Sequence, residues 1–132
     1  MIVLDASAAV DWLLQTSAGQ RIEERIYSRN ESLHAPHLID LEITQVLRRL
    51  EREGTLTARR ANGAVRDLLS LRITRYPHDA FLPRIWQYRH NFSAYDAAYI
   101  ALAETLGAAL LTRDSRLASG SGSTANSKVE LF

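Results

Sequence analysis

The sequence predicts a single three-layer α/β/α domain built on a central, mainly parallel sheet, and three observations lead to this class. Short apolar runs, typical of strands buried on both faces, alternate with segments whose apolar residues recur at helical spacing. Strands that alternate with helices pair in parallel and carry helices on both faces of the sheet. The chain has 132 residues, 46% of them hydrophobic, which is enough for one core without crosslinks. We therefore expect one domain over residues 1–132.

The first elements follow directly from this alternation. The run Ile2 to Leu4 predicts a buried strand, and apolar residues at helical spacing up to Leu14 predict a helix behind it. A second helix is expected after Gly19. A short strand is expected over residues 33–35, because Pro36 disfavours continuation.

A long amphipathic helix is predicted in the middle of the chain. Its apolar stripe consists of Leu38, Ile39, Ile43, Val46, Leu47 and Leu50. Gly54 stands where a left-handed residue would end this helix, and Thr57 can cap the next one. The remaining elements are a strand at 73–76, a helix at 79–90 with Pro83 in its first turn, a helix from Ser93 to Gly107, a strand at 108–112, a flexible loop of small and polar residues at 119–127, and an edge strand at 129–132.

The composition excludes several classes of function. The chain has no cysteine, so disulfide scaffolds, zinc ribbons and thiol chemistry are excluded. No apolar run reaches the length of a membrane span, and the N-terminus lacks a signal-peptide pattern, so we expect a cytoplasmic protein that does not contact the membrane. Lys128 is the only lysine among 16 basic residues, and the arginines that make up the rest suit phosphate and carboxylate partners.

Two of the predicted strands lead into an aspartate. Asp5 follows the strand at 2–4, and Asp114 follows the strand at 108–112 after Arg113. The carboxyl ends of parallel strands meet at one edge of the sheet, where α/β folds bind their ligands. For a single aspartate at such a position, the commoner role is to cap the next helix.

Two predicted helices add one acid each. Glu42 falls between Leu38 and Val46 on the inward stripe, at about 100° per residue. An ionised carboxylate there needs a cation, unless it lies at the edge of the stripe and reaches solvent. Asp96 lies in the first turn of the helix that Ser93 begins, where the alternative role is a capping box with Ser93.

Four carboxylates at one end of a sheet require a cation, because like charges within about 4 to 6 Å repel one another. Oxygen ligands without cysteine favour Mg²⁺ or Mn²⁺ over zinc. A magnesium ion held by few carboxylates keeps several waters, which suits metal-assisted attack on a phosphodiester.

Four segments, in this order, resemble PIN domains and specifically the VapC toxins of bacterial VapBC toxin–antitoxin pairs. They are VLDASAAV at 3–10, PHLIDLEITQVLRRL at 36–50, FSAYDAAYIALAETLGAALLT at 92–112 and TRDSRLA at 112–118. The resemblance covers nearly the whole chain, and its most specific part is SAYDAAYIALAE followed shortly by LLTRD. It implies a PIN-like fold and the toxin component of a type II toxin–antitoxin system, an endoribonuclease that depends on Mg²⁺ or Mn²⁺.

The resemblance also implies the site residues. The family's acids, which are both metal ligands and catalytic residues, fall at Asp5, Glu42, Asp96 and Asp114. We hypothesise that one ion, held by Asp5 and Asp96 and by the other two directly or through water, activates water for in-line attack on RNA. Products with 5′-phosphate and 3′-hydroxyl ends would follow. Some relatives carry a further acid where Ser115 and Arg116 stand here, which argues against a second metal site.

Hydroxyls and arginines beside the acids are the supporting residues. The family's usual hydroxyls fall at Ser7 and Thr112, where they would orient metal-bound water or substrate phosphate. Arg113 and Arg116 flank Asp114 and would hold phosphates of the RNA or the tail of an antitoxin. The partners implied by the resemblance are an RNA substrate (tRNA or rRNA), a VapB-like antitoxin whose peptide covers the site, and a second copy of the chain in a homodimer and toxin–antitoxin hetero-oligomer, with no membrane.

Further candidates for RNA contact are less specific. Eight arginines and three acids lie between Arg48 and Arg75, which indicates either a phosphate-facing surface or solvated helix faces. Trp12, Tyr95 and Tyr99 are candidates for base stacking, although core or dimer contacts are the commoner role. The four histidines share no ligand spacing, which disfavours ribonuclease chemistry with paired imidazoles.

Two other functions remain open at this point. One is a Mg²⁺-dependent phosphoryl-transfer domain, but Ser7 stands where its phosphatase version needs a second aspartate, and a receiver version needs a lysine after a late strand. The other is a non-catalytic module that binds metal or RNA. The presence of all four acids argues against a decayed site.

Overall fold

The strands that the structure describes are all parallel and form one sheet. The structure, a computed structural model, describes residues 1–124 and 127–132. Within these residues the strands are β1 (Ile2–Leu4), β2 (Leu33–Pro36), β3 (Ile73–Tyr76), β4 (Ala109–Thr112) and β5 (Val129–Leu131). Their order across the sheet is β3-β2-β1-β4-β5, and every pair of neighbours is parallel.

Helices connect these strands and flank the sheet. In the part of the chain that the structure describes they are α1 (Ala6–Leu13), α2 (Ser17–Ser28), α3 (Leu38–Arg52), α4 (Ala58–Ser70), α5 (Leu82–Gln87), α6 (Ala94–Leu106) and α7 (Ser115–Thr124). A 3₁₀ turn, Asp79–Phe81, precedes α5. None of these helices is long and apolar enough to cross a membrane. The predicted α/β class with a parallel sheet is confirmed.

The strand order reverses between β1 and β4. From β1 the chain builds outward through β2 and β3, and then returns to the other side of β1 to add β4 and β5. Leu4 is level with Leu111 in the register, and the amide of Asp5 donates to the carbonyl of Leu111 at 3.0 Å. Asp5 and the end of β4 therefore lie side by side at the carboxyl edge, where open α/β sheets bind ligands.

Helix α6 is buried nearly all round and forms a central part of the core, to which the sheet and the other helices also contribute. Its residues from Ala97 to Ala103 are all buried, and the helix contacts β1, β2 and β4. Alanine side chains allow close approach to the strands, so an apolar helix with little amphipathic character fits here. Gly107 ends this helix with φ +58°, and Gly54 has φ +76° after α3, which confirms both predicted helix ends.

Two predicted helices have different bounds in the structure. The second helix begins at Ser17 rather than after Gly19, because the Thr16 hydroxyl caps it by accepting from the Gly19 amide at 3.0 Å. The predicted helix at 79–90 is divided into the 3₁₀ turn and α5. Pro83 has no amide to donate back into that turn, so a continuous helix cannot form.

The predicted flexible loop at 119–127 is wrong over most of its length. Helix α7 extends through Thr124, and residues 125–126 of the prediction lie outside the described residues. The Asp114 carboxylate accepts from the Arg116 amide at 2.8 Å at the start of α7, and Leu117 is buried. Capping and packing thus outweigh the low helix propensity of glycine and serine. The predicted edge strand is confirmed as β5.

Gly19 allows α1 and α2 to pack closely, and its substitution is expected to destabilise the fold. A Cβ on Gly19 would lie 2.0 Å from the carbonyl oxygen of Asp11, which is backbone and cannot rotate away. We expect Gly19→Ala to lower the free energy of unfolding by about 3 kcal/mol or more, measured by urea denaturation.

Gly63 provides the matched control within α4. A Cβ there meets nothing within 4 Å, so Gly63→Ala is expected to raise the free energy of unfolding by about 0.5 to 1 kcal/mol. Equal effects of the two substitutions would contradict the close α1–α2 contact.

Candidate active site

An acidic cleft of about 440 Å³ opens at the carboxyl edge of the sheet. Its walls come from the ends of β1 and β4, from α3 and from the first turn of α6. The structure brings together in this cleft all four predicted acids, namely Asp5, Glu42, Asp96 and Asp114. The acidic cleft is therefore the candidate active site.

Asp5 is held by two hydroxyl groups. One of its carboxylate oxygens, Oδ2, accepts hydrogen bonds from Ser7 Oγ at 2.7 Å and from Thr112 Oγ1 at 2.6 Å. The side chain is only 6% exposed and makes no capping bond to α1. The alternative role of Asp5 as a helix cap is thus wrong, and its carboxylate is fixed in orientation at the wall of the cleft.

The same hydroxyls tie the segment after β4 to Asp5. Ser7 Oγ accepts from the Arg113 amide, and Thr112 Oγ1 accepts from the Asp114 amide, both at 3.0 Å. Ser7 and Thr112 were predicted to orient water or phosphate. In the structure their bonds hold Asp5 and set the position of Asp114 relative to it.

Glu42 is an acid with an unusually high pKa. Its pKa is raised to about 7, mainly because the carboxyl is partly buried, and the nearby charges of Asp5 and Asp96 contribute in the same direction. A hydrogen bond from the Tyr99 hydroxyl to Glu42 Oε1, at 3.1 Å, acts in the opposite direction. Glu42 is only partly buried and lines the cleft, so it projects from the inward side of α3 as predicted.

Asp96 lies in the first turn of α6, where this helix borders the acidic cleft. Its amide donates to Ser93 Oγ at 3.1 Å, which caps α6, while its carboxylate lines the cleft. Burial raises the pKa of this carboxylate, and the charges of Asp5 and Asp114 add to that effect. Hydrogen bonding to Ser93 and the charge of Arg116 oppose it.

Asp114 differs from the other three acids because it forms an ion pair, with Arg116. Burial tends to raise the pKa of its carboxyl, but hydrogen bonds from the amide and guanidinium of Arg116, together with the Leu117 amide, lower the pKa overall. The capping role of Asp114 at α7 is therefore real, and its carboxylate still lines the cleft.

The chemistry of these side chains fits a hard divalent cation. In the described residues no three Asp, Glu or His groups form a ready-made metal site. Mg²⁺ does not need one, because it is usually held by one or two carboxylates and keeps several waters. Burial and neighbouring carboxylates raise the pKa values of Glu42 and Asp96 because they make the negative charge of these groups unfavourable. A bound cation would neutralise that charge.

Arg113 and Arg116 differ sharply in their positions. The Arg113 guanidinium donates to Asp11 at 2.7 Å and also contacts the carbonyl of Phe132, so it is paired within the chain. Its contact with a phosphate or an antitoxin tail stays a prediction. The Arg116 side chain is 92% exposed and lies 3.5 Å from Asp114, which leaves it available beside the site.

The aromatic candidates also separate. Trp12 is buried and its indole donates to Glu23 at 3.2 Å, and Tyr99 is fully buried against Glu42. Neither can stack on a base. Tyr95 is exposed at the start of α6. The sequence did not predict the hydrogen bond from Tyr99 to Glu42. Asp96 and Tyr99 are three residues apart and so share a helix face, which is the signal that could have indicated it.

The arginines between Arg48 and Arg75 do not form one surface. Arg75 pairs with Asp40 at 2.7 Å, and Arg60 donates to the carbonyl of Leu13. Three others on α3 line an exposed cleft that shares Gln45 with the acidic cleft. These three are Arg48, Arg49 and Arg52. The arginines of this region that line a cleft adjoining the acidic cleft are thus the three on α3.

Removal of the Tyr99 hydroxyl is expected to raise the pKa of Glu42 further. The hydroxyl stabilises the ionised carboxylate by donating to it, so Tyr99→Phe removes an interaction that favours the charged form. The shift is measurable by carboxyl-carbon NMR of the metal-free protein across a pH titration. Tyr76→Phe, which loses a hydroxyl bonded to His34 instead, serves as the control, and a downward shift of the Glu42 pKa in Tyr99→Phe would contradict the assignment.

A parallel five-stranded sheet with four carboxylates at its carboxyl edge is the arrangement of a PIN domain, and the PIN domain family model matches residues 2–121. Ribonuclease VapC9 of Mycobacterium tuberculosis is 45% identical over 117 residues, which cover 89% of this chain and 88% of the relative. Ribonuclease VapC12 of the same species is 40% identical over 131 residues, which cover 99% and 98%. The chain belongs to the VapC family of PIN domains.

Two solved structures share the fold. PAE2754 from Pyrobaculum aerophilum superposes with a TM-score of 0.70 at 23% identity, covering 97% of this chain and 81% of that chain. VapC20 from Mycobacterium tuberculosis, described as a toxin that cleaves the sarcin-ricin loop, gives a TM-score of 0.65 at 17% identity and covers 90% and 94%. At these identities the two structures support the fold alone.

Proposed function

We propose that the protein is a metal-dependent endoribonuclease and the toxin of a type II toxin–antitoxin pair. The observation that carries the proposal is the meeting of four carboxylates in the acidic cleft, in a chain whose relatives VapC9 and VapC12 are named ribonucleases. Such an edge suits hydrolysis of a phosphodiester because concentrated negative charge binds a divalent ion.

In this proposal the residues at the cleft act in three pairs. Asp5 and Asp96 would hold the ion, Mg²⁺ or Mn²⁺, and Glu42 and Asp114 would assist them directly or through water. When bound, the ion supplies an activated water and positive charge for the developing phosphorane. Ser7 and Thr112 keep Asp5 in place for this purpose.

The proposed partners follow from the family. The substrate is an RNA, either tRNA or rRNA, and a VapB-like antitoxin blocks the cleft. We also propose a homodimer in the cytoplasm that assembles with the antitoxin into a hetero-oligomer. The exposed arginines next to the acidic cleft on α3 and at Arg116 favour a polyanionic substrate.

Incubation with total cellular RNA tests the proposed activity. Purified protein free of antitoxin is assayed in Mg²⁺, in Mn²⁺ and in excess EDTA, and the fragment ends are mapped. Discrete cuts with 5′-phosphate and 3′-hydroxyl ends, present with metal and absent with EDTA, are expected. Asp96→Asn should lose the cuts, whereas Asp67→Asn, an exposed acid of α4 outside the cleft, should keep them.

The other candidate functions give different results in the same assay. A folded protein that binds RNA and never cuts it in either metal is a binding module rather than an enzyme. A protein without RNA cleavage that is trapped by a phosphate mimic on Asp5 is a phosphoryl-transfer domain.

A further inference from the structure

A second cleft of about 500 Å³ opens beside the acidic cleft and shares Asp96 with it. It lies between the segment at 89–93, which joins α5 to α6, and the start of α7. We call it the 89–93 cleft. Its polar lining includes Arg89, His90, Asn91 and Arg116. Because one carboxylate borders both clefts, a chain lying across the acidic cleft continues into this one.

The two arginines of the 89–93 cleft carry charge that the protein does not neutralise well. The Nη2 of Arg116 lies 3.5 Å from Oδ2 of Asp114, which is a long distance for an ion pair, and the Arg116 side chain is almost fully exposed. Within residues 1–124 and 127–132, Arg89 has no salt-bridge partner. Two exposed guanidinium groups, one from each side of the cleft, favour a phosphate between them, because arginine binds phosphate oxygens with paired N–H donors.

Arg89 is held in a fixed orientation by Trp86. Its guanidinium carbon lies 4.8 Å from the centroid of the Trp86 ring, and its Nη1 donates to the Trp86 carbonyl at 3.0 Å. A cation resting on an aromatic face is oriented without being neutralised. The Arg89 guanidinium is thus held beside the Trp86 ring, and Arg89 also lines the cleft.

Trp86 itself is exposed in a way that packing does not require. Its side chain is 68% exposed, whereas Trp12, the other tryptophan of the chain, is 6% exposed and bonded to Glu23. An exposed indole next to a cationic cleft is the combination that proteins use to bind unpaired nucleotides, since aromatic rings and guanidinium planes stack on bases.

We propose that the 89–93 cleft binds the nucleotide next to the scissile phosphate of an unpaired RNA strand. Arg89 and Arg116 hold its phosphate, and its base stacks on the exposed surface of the Trp86–Arg89 pair. Asn91 lies in the same cleft, where its amide can bond to a base edge. This inference rests on the proposed ribonuclease function and adds the location and the single-stranded character of the bound RNA.

Tryptophan fluorescence tests this binding without cleavage. A single-stranded RNA oligonucleotide is titrated into the full-length protein in EDTA, and binding is followed in parallel by anisotropy of a dye on the RNA. Stacking should quench the emission of the wild-type protein on binding and leave that of Trp86→Phe unchanged, because Trp12 is buried. Arg89→Ala should weaken the affinity by about tenfold, and Arg89→Lys should restore part of it.

Arg21→Ala provides the matched control, since it removes an equal charge from an exposed position on α2. It should change the affinity by less than about twofold, as expected for a loss of general charge alone. RNA binding without quenching, together with equal effects of Arg89→Ala and Arg21→Ala, would overturn the proposal.

A cleavage assay separates this inference from the proposed function. If the wild-type protein cuts RNA, Trp86→Ala and Arg89→Ala should raise KM by about tenfold with little change in kcat. Cleavage with unchanged KM in both variants would refute the 89–93 cleft and leave the ribonuclease intact. Quenching of Trp86 by RNA in a protein that cuts nothing would support the cleft and refute the ribonuclease.

Discussion

Asp5→Asn is expected to reduce RNA cleavage on the order of a thousandfold, the scale of losing one key electrostatic group in an active site, while the fold persists. Asparagine has the size of aspartate, and its amide oxygen can accept the same bonds from Ser7 and Thr112. The substitution therefore removes the negative charge and little else. Initial rates on a defined RNA, with circular dichroism and unfolding curves alongside, measure both parts of the expectation.

Asp5→Ala distinguishes the electrostatic role of Asp5 from its role as a hydrogen-bond acceptor in the fold. Alanine removes the acceptor of two hydrogen bonds at a side chain that is 6% exposed, so we expect a loss of about 2 to 4 kcal/mol in the free energy of unfolding as well as of activity. An Asp5→Asn protein that retains more than about a tenth of the wild-type rate would be incompatible with a primary electrostatic role of this kind.

The metal-free protein is expected to lose stability as pH rises from about 5 to 8 because of Glu42. The ordinary pKa of this carboxyl is 4.5, and in the folded protein it is about 7. Between these values the folded state keeps a proton that the unfolded state has lost, so each rise in pH favours unfolding. Because Glu42 is only partly buried and solvent screens its charge, the full effect, reached above pH 7, is about 1 to 2 kcal/mol.

Comparison with Glu42→Gln isolates this contribution. The raised pKa of Asp96 acts in the same direction, whereas burial lowers the pKa of His34, which destabilises the fold as pH falls through the ordinary histidine range. Urea denaturation in EDTA at several pH values should show the wild-type protein losing stability relative to Glu42→Gln as pH rises. Parallel pH curves for the two proteins would refute the high pKa, and Mg²⁺ should flatten the difference.

The positions of the acids could be predicted because simple geometry determines them. Parallel strands place their carboxyl ends at one edge, which brings Asp5 and Asp114 together. Helical periodicity then places Glu42 on the inward side of α3. Both rules depend on the order of residues along single elements, and this information is fully present in the sequence.

Contacts between distant elements could not be predicted in the same way. The hydrogen bond from Tyr99 to Glu42 joins α6 to α3, and the pairing of Arg113 with Asp11 crosses from β4 to α1. Each depends on rotamers chosen by packing after the fold has formed. Helix α7 extends into the predicted loop for a related reason. Burial of Leu117 against the rest of the chain outweighs the low helix propensity of the residues that follow it.

The central place of β1 has a consequence for synthesis of the protein. Asp5 is made long before its hydroxyl partner Thr112, which lies 107 positions later, and the strand beside β1 on that side is β4. Chains are made from the N-terminus, and long-range strand pairing must wait for the later strand. A chain whose residues 109–114 have not yet left the ribosome lacks both β4 and Asp114, so the acidic cleft cannot assemble until these late residues are free to pair with β1.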